Sequence, residues 1–238
     1  MKKMKYCLCA LILFAAMPLF AQDPAAAAAE PESAFSVFVS TGFGFSYNMY
    51  LEDTQNELVD GYEKNGFTED TGNSSASLLY GGFGINPRYE TGNIVLSIPV
   101  SYYNVMKSRR TVVQGASKII SKMDLAIWSV SFIADYKIRQ SDSSYLLIGG
   151  GAGYYKGSMY WDVITNGVSD KDSDSSWTIG WQTDLEYHWL FGNIDFYLGA
   201  TSRFAEIISF SVRDPKNDNN MVAGLTGLNF SAGIGYRF

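Results

Sequence analysis

His188 is the only histidine of this 238-residue chain, and acids flank it at Asp184, Glu186 and Asp195. An imidazole oriented by an acid can act as general base for a serine, the arrangement that acyl transfer uses. Arg88, Asp135, Arg203 and Arg237 are further ions that alternate with apolar neighbours in the same way. A second candidate is Asp170, Asp172 and Asp174, whose alternate oxygens have the spacing that calcium loops use. The rest of such a loop is missing, because Ser175 stands at the glycine position and Trp181 at that of the closing acid. A solvated acidic loop explains these aspartates better, and no metal is expected. Four Gly-x-Gly triplets begin at Gly42, Gly82, Gly151 and Gly233. They lie inside alternating segments with no helix following, so they are not phosphate loops, and no cofactor is expected.

The elements that must position these residues are strands. Leu228, Phe230, Ala232, Ile234, Tyr236 and Phe238 alternate with Asn229, Ser231, Gly233, Gly235 and Arg237. A period of two at the end of the sequence calls for a partner elsewhere in the chain, which suits closure against a first strand. Alternating segments cover 35–50, 77–89, 94–104, 124–138, 145–157, 176–190, 194–206 and 225–238. Each reaches the roughly 9 to 11 residues that a tilted membrane strand needs. The connections alternate between long and short, the short ones being Glu90-Thr91-Gly92-Asn93, the turn around Ser141-Asp142, and Phe191-Gly192-Asn193. Membrane barrels have that rhythm, with short turns in the periplasm and long loops outside. The fold class expected is therefore all-β, an eight-stranded antiparallel up-and-down transmembrane barrel.

One parity of each segment is apolar: for example Val39, Phe43 and Phe45; Phe83 and Ile85; Trp128, Val130 and Phe132; Trp177, Ile179 and Trp181. No charge is assigned to this face, which suits hydrocarbon, where a midplane Lys or Arg would cost roughly 2 to 4 kcal/mol. The opposite parity carries Arg88, Asp135, Asp184, Glu186, His188, Asp195, Arg203 and Arg237, which points them into the lumen as a charge network. Asp184 and Arg203 are the expected salt bridge, since a hairpin centred on Gly192-Asn193 sets Asp184 opposite Thr201 and diagonal to Arg203. Inward glycines make room for Phe38, Tyr80 and Tyr103. Aromatics at the strand ends form two girdles, with Tyr89, Trp189, Tyr236 and Phe238 on one side and Tyr47, Tyr50, Tyr102, Trp161 and Trp177 on the other. A soluble calyx would need the reverse polarity.

The N-terminus reads as a secretory signal over residues 1–21. Lys2, Lys3 and Lys5 precede an apolar run from Leu8 to Ala16, and Ala21 ends a cleavage site. Cys7 and Cys9, the only cysteines, fall within it. Removing its three lysines takes the formal net charge from −6 to −9, so nucleic acid is not an expected partner. Residues 22–34 are Ala- and Pro-rich and read as a flexible periplasmic lead-in, followed by the barrel over 35–238.

With these residues in view, the chain resembles the small eight-stranded outer-membrane barrels, of the OmpX type and the OmpA transmembrane domain. The terminal pattern Phe230, Ala232, Ile234, Tyr236 and Phe238 is similar to the signal read by the outer-membrane assembly machinery, which the resemblance makes an expected partner along with outer-membrane lipid. OmpA proteins continue into a peptidoglycan-binding domain, whereas this sequence ends at Phe238, so envelope anchoring does not carry over. Pro99 departs from the pattern and calls for a bulge or a changed register there. Some barrels of this size resemble lipid A acyl-modifying enzymes, but His188 lies three residues from a periplasmic turn, at the wrong end for an outer-leaflet substrate. The chain is not expected to be an enzyme.

The external loops differ in sign. The first carries Glu52, Asp53, Glu57, Asp60, Glu63, Glu69 and Asp70 against Lys64, and the second carries Lys107, Arg109, Arg110, Lys118 and Lys122 with no acid. The basic loop has the charge to meet lipid phosphates, an anionic partner or, by preference, the acidic first loop. Val112, Val113, Ile119 and Ile120 would extend that hairpin above the membrane. The function expected is a surface-exposed structural or adhesion-type binding scaffold with a plugged lumen and long extracellular loops binding an external ligand; a narrow channel is the alternative.

Overall fold

The computed structural model describes residues 33–46, 56–57, 59–70, 79–210 and 221–238. The expected signal segment, most of the lead-in, and Tyr47, Tyr50, Glu52 and Asp53 lie outside the described residues. In chain order the strands are β1 (Ser33–Ser46), β2 (Thr68–Asp70), β3 (Leu79–Thr91), β4 (Ile94–Ser97), β5 (Val100–Gln114) and β6 (Ser117–Ser141). They continue with β7 (Ser144–Thr165), β8 (Val168–Phe191), β9 (Ile194–Phe204), β10 (Glu206–Phe210), β11 (Met221–Gly224) and β12 (Gly227–Arg237).

Eight staves close into an antiparallel ring: β1, β3, β4 continued by β5, β6, β7, β8, β9 and β12. The seam runs from Ser36 opposite Arg237 to Ser46 opposite Gly227, and the Phe238 amide adds a bond to the Phe35 carbonyl at 2.9 Å. At one end the ring turns tightly at Gly92 and Gly192, with φ of 59° and 63°, values a residue without Cβ adopts readily. Both ends of the described barrel lie on this side, together with the short connections.

Pro99 does not shift the register. Ser97 faces Ile133 and Val100 faces Val130, so the count across the proline is unbroken. Neighbouring bonds bridge it, from Ile98 N to Pro87 O and from Ser131 N to Pro99 O, both at 3.1 Å. The proline thus removes one ladder donor and nothing more. The irregularity lies at Val105 instead, where Asn104 faces Ala126 but Met106 faces Leu125. An extra residue reverses parity. Beyond it Arg110 and Val112 take the inward position that odd-numbered residues such as Tyr103 hold below.

β6, β7 and β8 run for 25, 22 and 24 residues, well past the segments expected from the sequence. A membrane crossing uses only about 10, so two long hairpins stand clear of the bilayer. Thr111, Val112 and Val113 do pair with Ile120, Ile119 and Lys118, continuing the first hairpin outward. The second turns at Asn166 and Gly167, whose φ angles of 50° and 86° are those of a type I′ turn. Asp170, Asp172 and Asp174 are therefore strand residues, paired with Val163, Trp161 and Met159, and not a loop. The first external connection folds against this extension: β2 pairs with β5, and Val59, in a helical turn, packs on Val112 and Ile119.

The outward face is apolar as expected, with Trp177 and Trp181 59% and 67% exposed. Three positions correct the sequence reading. Trp161 is not in the outer girdle; it is buried inside the extension, where its Nε1 donates to Ser121 Oγ at 2.9 Å. And the outward face does carry charge: the exposed Lys156, between Trp128 and Trp177 in the ladder, and the exposed Asp124, opposite Tyr160.

Inward glycines accept aromatic rings. A Cβ on Gly235 would come 2.5 Å from Phe38, and one on Gly82 2.6 Å from Tyr103, whereas outward Gly81 has nothing within 4 Å. Gly235→Val should lose about 1 to 3 kcal/mol through overpacking, while Gly81→Val should stay within about 0.5 kcal/mol of wild type. Urea unfolding of the refolded protein, followed by heat-modifiable gel mobility, checks both.

Candidate functional site

The lumen is the site to which the ionisable residues converge. At the end with the short turns Arg88, from β3, forms a two-pronged pair with Glu186 on β8: Nη1 to Oε2 is 2.7 Å and Nη2 to Oε1 is 3.1 Å. Asn86, with its amide oxygen turned to the guanidinium, accepts from Nη2 and Nε at 2.9 Å. Glu186 Oε2 also lies 3.0 Å from His188 Nε2, and His188 Nδ1 lies 2.8 Å from Asp195 Oδ1. The Tyr145 hydroxyl donates to the other Asp195 oxygen. His188 is wholly buried, sandwiched between Tyr145 at 4.4 Å and Tyr197 at 5.2 Å, and Arg88 sits 4.3 Å over Phe38. Toward the rim, Glu90 joins Lys137 and Arg237, the latter at 3.0 Å.

The middle of the lumen is a small polar cavity of about 60 Å³, lined by serines together with Gln182, Asp184, Thr201, Arg203 and Asn229. Asp184 faces Thr201, and Gln182 faces Arg203, in the β8 to β9 ladder. The Asp184 carboxylate accepts from Thr201 Oγ1 at 2.7 Å and from Gln182 Nε2 at 3.2 Å. Arg203 donates to the Tyr103 hydroxyl at 2.8 Å and lies 4.6 Å over that ring. Tyr155 donates to Gln182 Oε1 at 2.9 Å. Asn229 Oδ1 and, deeper toward Arg88, Asp135 Oδ1 are buried without a hydrogen-bond partner.

Above the cavity the inward face changes character. Val105, Met123, Leu125, Ile127, Met159, Ile207, Phe210 and Leu225 are all buried to within 1% and pack with Tyr155 and Trp161 into one apolar cluster. The sequence reading placed ions, glycines and the rings of Phe38, Tyr80 and Tyr103 in the lumen and missed this layer. It also missed Tyr145, Tyr197 and Lys137 as partners of the ions.

The basic residues of the second loop divide between the two faces of the sheet. Arg110 turns inward and pairs with Glu69 at 2.9 Å, also meeting Asn56 from the first connection. Lys122 faces outward, 3.6 Å from Asp162, while Arg109 and Lys118 are exposed. The side chain of Lys107 lies outside the described residues. Among the described residues no group of three or more histidines, cysteines or acids is placed to hold a metal, and Asp170, Asp172 and Asp174 follow one strand edge.

Against known proteins, this geometry is similar to that of the Neisserial surface protein A, at a TM-score of 0.51 and 13% identity, over 87% of this chain and 99% of that one. The fold is that of a small outer-membrane β-barrel. A major outer membrane protein from Thermus thermophilus matches at 0.47 and 11% identity, over 87% and 99%. Ail, the attachment invasion locus protein of Yersinia pestis, matches at 0.36 and 18%, over 88% and 100%. Identities this low speak to fold alone, and the first of the three carries it. No family model and no curated protein matches the chain.

Breaking the deepest ion pair on one side should be more damaging than removing it whole. Arg88→Met strands Glu186 and should cost about 3 to 5 kcal/mol, and the double change R88M/E186L should recover most of that loss. Guanidinium midpoints of the refolded protein in micelles, compared in a double-mutant cycle, test this.

Proposed function

We propose that this protein is a closed barrel of the bacterial outer membrane, exported through cleavage of residues 1–21, that serves as a surface scaffold holding a rigid binding platform outside the cell. The observation that carries this reading is the apolar cluster from Val105 to Leu225, stacked over the ion layer around Arg88 and Glu186. Between them lies the polar cavity of about 60 Å³, enough for a few waters. Two such layers across the axis leave little room for a hydrated solute, which favours a scaffold over a channel. Continuous strands rising from the membrane into paired hairpins favour recognition at the outer tips, since rigid scaffolds that display polar surfaces are where binding concentrates. An extracellular ligand of adhesion type is the partner this shape suits.

His188 supports a structural role and not catalysis. Its two nitrogens are taken up by Glu186 and Asp195, its faces by two tyrosines, and it has no exposed edge for a substrate. The ions Arg88, Asp135, Asp184, Glu186, Asp195, Arg203 and Arg237 read in the same way, as groups that fill a narrow interior while compensating one another.

The C-terminal face Phe230, Ala232, Ile234, Tyr236 and Phe238 points to lipid, with Phe238 75% exposed. We assign it a second role before closure, as the segment that the assembly machinery engages. Phe238→Ala should then lower the amount inserted in the outer membrane of expressing cells severalfold while leaving refolding in detergent unaffected; equal losses in both would remove the assembly role.

Two measurements decide the scaffold reading. In planar bilayers the refolded protein should give no steady, reproducible conductance, and a stable open level would sink it. Lipid extracts from cells making the protein should match by mass those from cells lacking it, because no acyl chemistry is expected.

A further inference from the structure

We propose that the outer quadrant formed by β5 to β8 binds a phosphorylated glycolipid of the outer leaflet, whose anionic groups run from the lipid phosphate up into its saccharide. This inference rests on the membrane placement argued above. It begins with Lys156, the cation among the lipid-facing aromatics. In the ladder Lys156 stands between Trp128 and Trp177. Tyr102 packs on Trp128 with centroids 5.0 Å apart, and Tyr154 stacks on Trp177 at 5.7 Å. A row of exposed indoles and phenols marks the interface of a bilayer. At that height an outward lysine is cheap, and its long stem carries the ammonium to the phosphates.

A second tier of cations lies farther out on the same face. Arg109 faces Lys122, Lys122 faces Asp162, and Asp162 faces Lys171. Three cations meet one acid there, and the exposed Asp124, two residues from Lys122 along β6, is a second acid on the same face, which leaves this tier with one net positive charge while Lys156 lies below it. The pair of Lys122 with Asp162 at 3.6 Å leaves the lysine 41% exposed, and Arg109 and Lys171 are exposed. From Trp128 to Lys122 is six residues along β6, roughly 20 Å of strand.

The spacing selects the ligand. An ordinary anionic phospholipid carries its charge at one phosphate level and would satisfy Lys156 alone. A glycolipid with phosphate on its lipid-proximal sugars and again on its outer saccharide spans both tiers. Among the described residues, the outward positions of β1, β9 and β12 on the other side of the ring hold no charged residue, and the whole chain is net negative at −6. A general attraction to headgroups would not need one side of the barrel to carry the positive charge.

The test uses the full mature chain refolded into phosphatidylcholine nanodiscs containing a minor fraction of diphosphorylated lipid A, with or without a phosphorylated core saccharide. Lipids retained on the protein after release are counted by native mass spectrometry. Wild type should retain the core-bearing glycolipid in preference to the core-less one. Lys156→Gln should reduce retention of both about fivefold, the effect of one basic residue at an anionic surface. The triple change R109Q/K122Q/K171Q should abolish the preference for the core while leaving core-less lipid A bound, and heat-modifiable mobility should report an intact barrel in every variant. Equal retention by wild type and K156Q, or no preference for the core in wild type, overturns the proposal. Binding of a soluble sulfated polysaccharide without glycolipid retention overturns it as well, by assigning the cations to an external partner. Failure of the protein to insert at all would instead bring down the membrane placement beneath it.

Discussion

Within hydrocarbon no water is present to bond a free amide or carbonyl, so a sheet that crosses a membrane must have no edge. The rest of this structure depends on the seam between β1 and β12 that meets that demand. Once the ring is closed, parity is no longer negotiable: each strand shows alternate residues to lipid and to the axis, and a slip of one residue would exchange them. This explains how Pro99 is tolerated. A single missing donor, bracketed by bonds from Ile98 and Ser131, is a smaller defect than the reversal of every side chain that a bulge in mid-membrane would impose. The bulge that does occur, at Val105, lies beyond the Tyr102 and Trp128 girdle.

Closure also creates an interior that side chains must fill. The filling follows two rules in two layers. Low in the barrel the contents are ions, and apart from Asp135, whose Oδ1 has no hydrogen-bond partner, they are compensated by neighbours: Arg88 by Glu186 and Asn86, His188 by Glu186 and Asp195, Asp184 by Thr201 and Gln182. Large rings are fitted against bare backbone, as Phe38 over Gly235 and Tyr103 against Gly82. Higher up the contents are apolar, and the same fold becomes an ordinary hydrophobic core of Met123, Leu125, Ile127 and Phe210. The change of rule comes near the height where the lipid-facing aromatics end.

That change of rule also marks where the sequence stopped being legible. Inside the bilayer the two solvents are so different that alternation alone assigned the outward residues of each described stave, and the hairpin at Gly192-Asn193 placed Asp184 opposite Thr201 correctly. Outside it, water replaces lipid on one face while a core replaces ions on the other, so alternation weakens. Between Ile119 and Trp128 both parities are largely apolar, and Trp161 looked like a girdle residue although it faces inward. One signal for the long second hairpin was present: Asn166-Gly167, the dipeptide that favours a type I′ turn, between two stretches that could pair. Partners across the lumen were out of reach for a different reason. Tyr145 stacks on His188 because they are ladder neighbours, but Arg88 reaches Glu186, and Arg203 reaches Tyr103, across the axis. Which residues share a level there depends on the stagger of the whole ring, a quantity no single hairpin reveals.

The extension has a physical consequence of its own. Four strands that leave the membrane without interruption inherit its orientation, and they are braced above it by contacts unrelated to lipid: Arg110 with Glu69, β2 along β5, and Val59 on Val112 and Ile119. Arg110 can make its contact only because the bulge at Val105 turned it inward, while neighbouring Arg109 stays outside. One irregularity thus divides the basic stretch into a brace and an exposed tier. A surface held in this way has little conformational freedom left to lose when something docks on it, and that preorganisation favours binding. Separate flexible loops on a short barrel would offer the same residues without the same geometry.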